Sequence, residues 1–295
     1  MIIGFDFIYN GENVYVTVYF APVGSRYPFK IDDSNNYWKN TSTNAFDTSE
    51  TIYEKLLSWT KLEGFKKDRN LIYWMYGTDF YNYMMPMDTL TNLQYNYQKL
   101  NEVGTDMIKY QFQTKDKANV GSDWQRLKTY LSSELAKDVN ADVATLQANF
   151  MNAMYGAGAT YMQQLLSAQQ AHCTYDNFNS LNSTLYSNYT EQYFGIINGS
   201  TKLMSTRYFS KDTLTTWMGY INSAKSAVNA DSTLSDAEKA EYIERIKVEA
   251  LSIRYMLVSL HGVTTYDASV AAWKTHAASL GCYCYIENSD ADGNW

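Results

Sequence analysis

The sequence predicts an α/β unit of three parallel strands followed by an all-α C-terminal region. Up to about residue 138, short runs of β-branched and aromatic residues alternate with amphipathic helical segments. Such alternation is typical of βαβ units in a parallel sheet. Beyond about residue 140 only helical periodicity continues. We therefore divide the chain into residues 1–138, with the strands, and residues 139–295, which are helical.

The first strand–helix unit begins with residues 13–22, NVYVTVYFAP, which are apolar on both faces, as in a buried parallel strand. A polar loop is predicted from Gly24 to about Phe46. The four residues 47–50, DTSE, have the spacing of a helix capping box. The helix that they would start has one apolar face, formed by Ile52, Leu56, Trp59 and Leu62.

Two further units follow the same plan. Residues 71–76, LIYWMY, predict the second strand, and residues 88–103 predict a helix that ends at Gly104. Residues 106–112 predict the third strand. Residues 122–125, SDWQ, again have capping-box spacing. The inward residues of these two helices are Leu90, Leu93, Tyr97 and Leu100 in the first, and Leu127, Leu131 and Leu135 in the second.

The C-terminal region contains several helical patterns. Residues 143–172 predict one long helix or two, because GAGA at 156–159 permits a break or close packing. Residues 174–205 are rich in Asn, Ser, Thr and Tyr and predict an irregular polar insert. Residues 211–229 and 267–280 predict two helices, and a long helix between them is capped by SDAE at 235–238. Its buried stripe is formed by Ile243, Ile246, Ala250, Ile253, Leu257 and Leu260.

Three parallel strands leave two architectures open. They form either a small open α/β unit or part of a closed barrel, which needs eight strands and would draw the others from elsewhere. Periodicity does not choose between the two.

Composition and motifs exclude several classes of function. The net charge of −7 argues against nucleic acid or an anionic membrane as the main partner, and no 18-residue apolar stretch predicts a membrane span. The N-terminal residues lack the pattern of a signal peptide. The three cysteines and three histidines have no metal-binding or triad spacing, and nucleotide-binding and hydrolase motifs are absent. The sequence predicts neither a metal nor a cofactor.

The candidate site follows from the parallel sheet, since function in such folds lies at the C-terminal ends of the strands. The predicted substrate-binding residues there are Arg26, Tyr27, Trp74, Tyr76, Asp79, Gln111 and Gln113. Aromatic rings stack on the apolar faces of pyranoses, while amides, guanidinium groups and carboxylates bind hydroxyls, so carbohydrate is the predicted ligand. The alternative is that Trp74 and Tyr76 only pack in the core and at its rim.

Hydrolysis of a glycoside needs two carboxyl groups that flank the scissile bond. Only Asp79 is well placed at a strand end. Asp32 and Asp33 lie farther out in a loop, and Asp116 lies beyond the third strand. The sequence therefore shows no complete acid/base pair, and the catalytic residues stay unassigned.

Several segments together resemble a bacterial family of unknown function that occurs in large proteins similar to α-glucuronidases and related glycoside hydrolases. The segments are ENVYVTVYFAPV, LIYWMYGTDFYNYMMP, VGTDMIKYQFQT and WQRLKTYLSSELAKDVNADVATLQANFMNAMYG, then RYFSKDTLTTW and YIERIKVEALSIRYMLVSL. The resemblance implies the last three β/α units of a TIM-type barrel followed by a helical domain. It also implies an upstream part of the same polypeptide, and polysaccharide breakdown by a secreted or surface protein.

The chain departs from that family at two positions. Relatives often have acidic residues where this chain has Met75, on the second strand, and Tyr110, on the third. Three hypotheses follow. The chain is the C-terminal fragment of a glycoside-hydrolase-like enzyme and is inactive alone, or it is a carbohydrate-binding protein on a degenerate barrel, or it is a structural accessory domain.

Overall fold

The computed structural model describes residues 7–9, 12–14, 17–22, 25–39, 46–62, 65, 71–80, 82–113, 121–174, 177 and 205–283. The strands are β1 (Phe7–Tyr9), β2 (Glu12–Val14), β3 (Val18–Phe20), β4 (Tyr37–Lys39), β5 (Phe46–Thr51), β6 (Leu71–Tyr76) and β7 (Met107–Gln111). The helices are α1 (Ile52–Thr60), α2 (Leu93–Val103), α3 (Gln125–Lys137), α4 (Val143–Tyr155), α5 (Ala159–His172), α6 (Lys211–Ala230), α7 (Asp236–His261) and α8 (Val270–Ser279).

The predicted three-stranded parallel sheet is confirmed, in the order β3–β6–β7. Val18 lies opposite Leu71, and Ile72 lies opposite Met107. β2, which the sequence joined to β3 as one strand, instead pairs antiparallel with β1. Past β7, each described element is a helix.

The two crossover helices pack on the same face of this sheet. Val18 and Phe20 pair with Leu71 and Tyr73, so these four side chains share a face. They form one buried cluster with residues of α1 and α2, namely Ile52, Leu56, Leu100 and Val103. Strands that follow in chain order through right-handed crossovers place their helices on one side, which is the arrangement of a barrel wall. Whether the sheet belongs to a barrel stays a prediction.

The predicted start of α1 is wrong. Residues 47–50 lie in β5, which pairs antiparallel with β4. β4 lies within the segment that the sequence predicted as a loop. The capping box is instead formed by Thr51 and Glu54, with the Glu54 N–H 3.2 Å from the Thr51 hydroxyl and the Thr51 N–H 2.7 Å from the Glu54 carboxylate. The box lies directly before the first buried position, Ile52, because a cap must adjoin the first helical turn.

The second predicted capping box is also wrong. Asp123 and Trp124 both have left-handed backbone angles, with φ of 56° and 58°, and α3 begins after them without a side-chain cap. The Ser122 hydroxyl donates to the carbonyl of Tyr83 instead of capping the helix. These side chains make long-range contacts, so local spacing did not reveal their role.

Other helix predictions are confirmed, apart from two starts: α2 begins at residue 93 rather than 88, and α8 begins at residue 270 rather than 267. Gly104 ends α2 with a left-handed φ of 85°, and Ser235 and Glu238 form the capping box of α7. Residues 143–172 form two helices, α4 and α5, around a 3-10 turn at Gly156–Gly158. The α7 stripe is fully buried at its centre and half-buried at Ile243 and Leu260.

The larger hydrophobic core contains side chains from Tyr76 to Cys282 and thus from both sides of residue 138. The division at 138/139 stays a prediction. Of the predicted polar insert at 174–205, all but residues 174, 177 and 205 lie outside the described part of the chain. No helix among the described residues is long and apolar enough to cross a membrane.

A buried lysine joins the end of the sheet to the helices. The Lys128 ammonium of α3 lies 2.6 Å from the Asp123 carboxylate, and both side chains are less than 5% exposed. It also donates to the carbonyls of Gly77, just after β6, and Met87, at 3.0 and 2.8 Å. The Met87 N–H in turn donates to Asp123. Each charge is thus balanced and hydrogen-bonded, which burial requires.

A second buried carboxyl lies nearby. Glu249 of α7 accepts hydrogen bonds from the Trp124 N–H at 3.0 Å and from the Tyr155 hydroxyl at 3.3 Å. Burial away from water raises the pKa of Glu249 from 4.5 to about 7, although these donors lower it in part. Burial likewise raises the pKa of Asp123, against the opposing effect of Lys128. The two carboxyls link α3, α4 and α7.

Replacing Lys128 with Met should lower the free energy of unfolding by about 3 kcal/mol, because it leaves the Asp123 carboxyl buried without its cation. Lys137 and Glu134 form a matched control, since they also lie 2.6 Å apart but the Lys137 side chain is 70% exposed. Lys137→Met should change the stability by less than about 1 kcal/mol. Urea denaturation of both variants measures this, and equal losses would contradict it.

The raised pKa of Glu249 predicts that its contribution to stability is full below about pH 4.5 and is lost as the pH rises through about 7. The unfolded chain releases the Glu249 proton at a lower pH than the folded chain does. The stability of the wild type relative to Glu249→Gln should therefore fall by on the order of 2 kcal/mol between pH 5 and 8. Denaturant titrations of both proteins across this range measure the difference, and a constant difference would refute the prediction.

Candidate functional site

A cleft opens where β3 ends and its neighbour continues. Phe20, the last residue of β3, lies opposite Tyr73, whereas β6 runs on to Tyr76. The chain after β3 turns beside the last three residues of β6 and leaves a small open hollow of about 30 Å³, which we call the aromatic cleft. Its lining includes Ser25, Arg26, Tyr27, Phe29, Asn36, Trp74, Met75, Tyr76 and Asn96.

Parallel aromatic rings form one wall of the aromatic cleft. The Tyr27 and Tyr76 rings stack with centroids 4.7 Å apart and planes 17° apart. The Trp74 ring is parallel to Tyr76 within 10°, at a centroid distance of 5.9 Å. Parallel rings at that distance are offset rather than directly superposed. The Lys109 ammonium lies 3.6 Å from the centroid of the Trp74 ring.

The indole N–H of Trp74 is buried and has no acceptor among the described residues. The indole side chain itself remains partly exposed. A buried donor without an acceptor costs roughly 1–3 kcal/mol, so such a group favours a site where a ligand or water supplies the acceptor.

Three asparagine side chains fix the loop that contains Arg26 and Tyr27. Asn36 accepts from the Arg26 N–H at 3.1 Å and donates to the Lys30 carbonyl at 3.1 Å. Asn96 of α2 accepts from the Ile31 N–H at 2.8 Å and donates to the Phe29 carbonyl. Asn92 donates to the Pro28 carbonyl at 2.8 Å. The loop is thus attached to α2 by side-chain amides.

Four of the predicted substrate-binding residues meet in the aromatic cleft. Tyr27, Trp74 and Tyr76 form the ring wall, and Arg26 lies beside it. The Arg26 side chain donates to the Asn35 carbonyl and lies over the Phe29 ring, 5.4 Å from its centroid. It is 7% exposed, so its position is fixed by packing as well as by hydrogen bonds.

The other three predicted residues lie outside the aromatic cleft lining. Gln113 is buried, and its amide donates to the Tyr83 carbonyl at 3.0 Å and accepts from the Ser122 N–H at 3.1 Å. Asp79 is completely buried and accepts from the Asn82 N–H at 3.1 Å. Gln111 is half-buried at the end of β7. Two of these three side chains therefore hold the loops that follow the strands.

No carboxylate lines the aromatic cleft among the described residues. Asp32 accepts a hydrogen bond from the Tyr95 hydroxyl at 2.6 Å. Asp116 lies outside the described part of the chain. At the two positions that depart from the resembled family, Met75 lines the cleft, whereas the Tyr110 hydroxyl donates to Thr89 at 3.1 Å.

Tyr110 packs against the turn after β6. A Cβ atom added to Gly77 would lie 2.7 Å from the Tyr110 ring and 2.8 Å from Phe112, so only glycine fits there. The pKa of Tyr110 is raised by burial. This residue thus fills the space beside the strand end with a neutral ring.

The histidines and cysteines form no metal centre within the described residues, where no group of three or more His, Cys, Asp or Glu could hold an ion. His172 and His261 bond to the carbonyls of Tyr208 and Phe209. Burial lowers the pKa of His172. Cys173 and Cys282 are buried.

Comparison with known families matches residues 11–167, more than half of the chain, to a domain of unknown function, DUF4838. The chain belongs to the DUF4838 family. Neither the curated proteins nor the solved structures gave a match. All residues of the aromatic cleft fall inside the DUF4838 segment, as do α2, α3 and the Lys128 cluster. The segment ends within α5.

The asparagines are the part of the site that sequence reasoning missed. Asn92, the residue before α2, and Asn96, in its first turn, are four residues apart, so they lie on one side of the helix. Asn96 is 7% exposed between the apolar positions Leu93 and Leu100. A polar residue within an apolar stripe was the available signal, since a buried amide needs hydrogen-bond partners.

Asn96→Ala should lower the free energy of unfolding by about 2 kcal/mol, because the buried Ile31 N–H and Phe29 carbonyl lose their partner. Asn101→Ala, on the exposed side of the same helix, should change it by less than about 0.5 kcal/mol. Thermal or urea unfolding measures both. Amide exchange at Ile31 should also accelerate in Asn96→Ala, and unchanged exchange would show that the amide does not hold the loop.

Proposed function

We propose that the aromatic cleft binds carbohydrate and that this DUF4838 chain is the ligand-binding part of a glycoside-hydrolase-like protein. The observation that supports this most is the wall of parallel rings formed by Tyr27, Tyr76 and Trp74 beside the Arg26 guanidinium. Rings of this kind receive the C–H faces of a pyranose, while fixed donors orient its hydroxyls.

The chemistry of the aromatic cleft suits a sugar in two further ways. The buried Trp74 N–H offers a donor to an oxygen at the bottom of the cleft. Lys109 lies over the indole on an exposed, flexible side chain, so a sugar ring can displace it and take its place. The displaced Lys109 ammonium then remains close enough to bind a hydroxyl or carboxylate of the ligand.

Binding is favoured over hydrolysis by this chain alone. Glycoside hydrolysis uses two carboxyl groups about 5–10 Å apart across the bond to be cleaved. The described lining of the cleft has none, and Asp79 is completely buried. If the whole protein hydrolyses a glycan, we expect its acid and base to come from residues outside those described.

The barrel hypothesis remains part of this proposal. The strand order β3–β6–β7 follows the chain, and α1 and α2 pack on one face, as in the wall of a singly wound barrel. We therefore propose that further strands of a longer polypeptide complete the sheet, and that the protein acts on or binds polysaccharide at the cell surface or after secretion.

The proposal predicts binding of oligosaccharides that depends on the rings. Wild-type protein should bind at least one member of a panel of plant and host glycan oligosaccharides by isothermal titration calorimetry. Trp74→Ala should weaken that binding by about tenfold, because the stacking surface and its N–H are lost. Trp59→Ala on α1, a half-buried tryptophan outside the cleft, should leave it unchanged.

Tyr27→Ala tests the same wall from the loop and should also weaken binding. Circular dichroism and unfolding curves of each variant separate a lost contact from a lost fold. No binding by the wild type across the panel, or equal binding by folded Trp74→Ala, would refute the proposal.

A further inference from the structure

A second and larger hollow adjoins the aromatic cleft. Its volume is about 460 Å³, and Phe29 lines both hollows. We call it the polar groove, since its lining includes Lys30, Asp33, Asn35, Asp88 and Asn92. Hollows of roughly 300–1,000 Å³ hold ligands the size of a short oligosaccharide, so the polar groove is large enough for sugar residues of its own.

The polar groove has hydrogen-bonding capacity that the protein does not use. One oxygen of the Asp33 carboxylate accepts from the Asn35 N–H at 2.8 Å, which fixes the group. Its second oxygen has no donor among the described residues, and the side-chain amide of Asn35 has no partner there either. A carboxylate oxygen and an amide side by side are suited to adjacent hydroxyls of a sugar ring.

The walls of the polar groove are fixed by contacts on both sides. The Lys30 ammonium lies over the Tyr95 ring, 4.4 Å from its centroid, and the Tyr95 hydroxyl donates to Asp32. Asn92 is held by its bond to the Pro28 carbonyl. Polar groups that are already positioned lose less entropy when a ligand binds.

We propose that the polar groove is a second carbohydrate subsite, and that the ligand of this chain is an extended oligosaccharide that passes over Phe29. This inference rests on the proposed function of the aromatic cleft. One sugar residue packs against the rings of Tyr27 and Trp74, and the following residues bind Asp33 and Asn35 through their hydroxyls. A disaccharide contacts only the rings of the aromatic cleft, whereas a longer chain also reaches the polar groove.

The test uses a length series, from disaccharide to hexasaccharide, of a glycan that the wild type binds, measured by isothermal titration calorimetry. The affinity of the wild type should rise at least tenfold from disaccharide to hexasaccharide. Asp33→Asn, which keeps the acceptor for the Asn35 N–H, should weaken hexasaccharide binding about tenfold and change disaccharide binding less than twofold. Asn35→Ala should behave in the same way, as its side chain has no partner to lose among the described residues.

The controls separate this inference from the proposed function. Asp106→Asn, an exposed carboxylate just before β7 and thus at the opposite end of the strands, should have no effect at any length. Trp74→Ala should weaken disaccharide and hexasaccharide alike. An affinity that does not grow beyond the disaccharide, or Asp33→Asn and Asn35→Ala proteins that bind hexasaccharide normally, would overturn the second subsite while the aromatic cleft stands. Absence of binding at every length would overturn both.

Discussion

The buried ammonium of Lys128 is the interaction on which the arrangement of the site depends. It binds the carbonyls of Gly77 and Met87 and the carboxylate of Asp123 at once, so it fixes both ends of the loop that follows β6 and the start of α3. A buried charge requires all of its partners, because removing one leaves an uncompensated group in a low-dielectric interior. The turn after Tyr76, and with it one wall of the aromatic cleft, therefore has little freedom to move.

The loop after β3, which contains Arg26 and Tyr27, is fixed in a different way, by neutral amides. Asn36, Asn92 and Asn96 satisfy backbone groups of the loop after β3 that no strand or helix could satisfy. A surface loop normally leaves such groups to water. Here these three amides replace water, so the segment that contains Arg26 and Tyr27 is held in place. Preorganisation of this kind is a property of binding sites rather than of simple connections.

The strands of the sheet and the apolar stripes could be predicted from the sequence because their signals are local. LIYWMY is apolar on both faces, and Leu127, Leu131 and Leu135 recur with the period of a helix. The pairing of β4 with β5 was missed because residues 24–46 are polar and predict a loop, and because DTSE at 47–50 has the spacing of a helix capping box. The two wrong capping boxes had the correct spacing, but Asp47 and Ser122 bond to other partners, which spacing does not reveal.

The site was predicted only in part, because some of its residues are placed by local signals and others by contacts between distant segments. Residues at strand ends follow from the topology, and four of the seven predicted residues do meet in one cleft. Asp79 and Gln113 have the residue types of a sugar site but are buried among backbone groups. Burial depends on contacts between distant segments. No pattern within a single segment shows it.

The unequal lengths of β3 and β6 have a consequence for how this family can diversify. Because β3 stops three residues before β6, the cleft lies between the end of β3, the loop that follows it, and the last residues of β6, which pair only with β7. Insertions or substitutions in residues 25–36 alter the shape and charge of the rim without shifting the register of any strand. A change confined to this one segment can therefore remodel the cleft while the sheet and its covering helices stay the same.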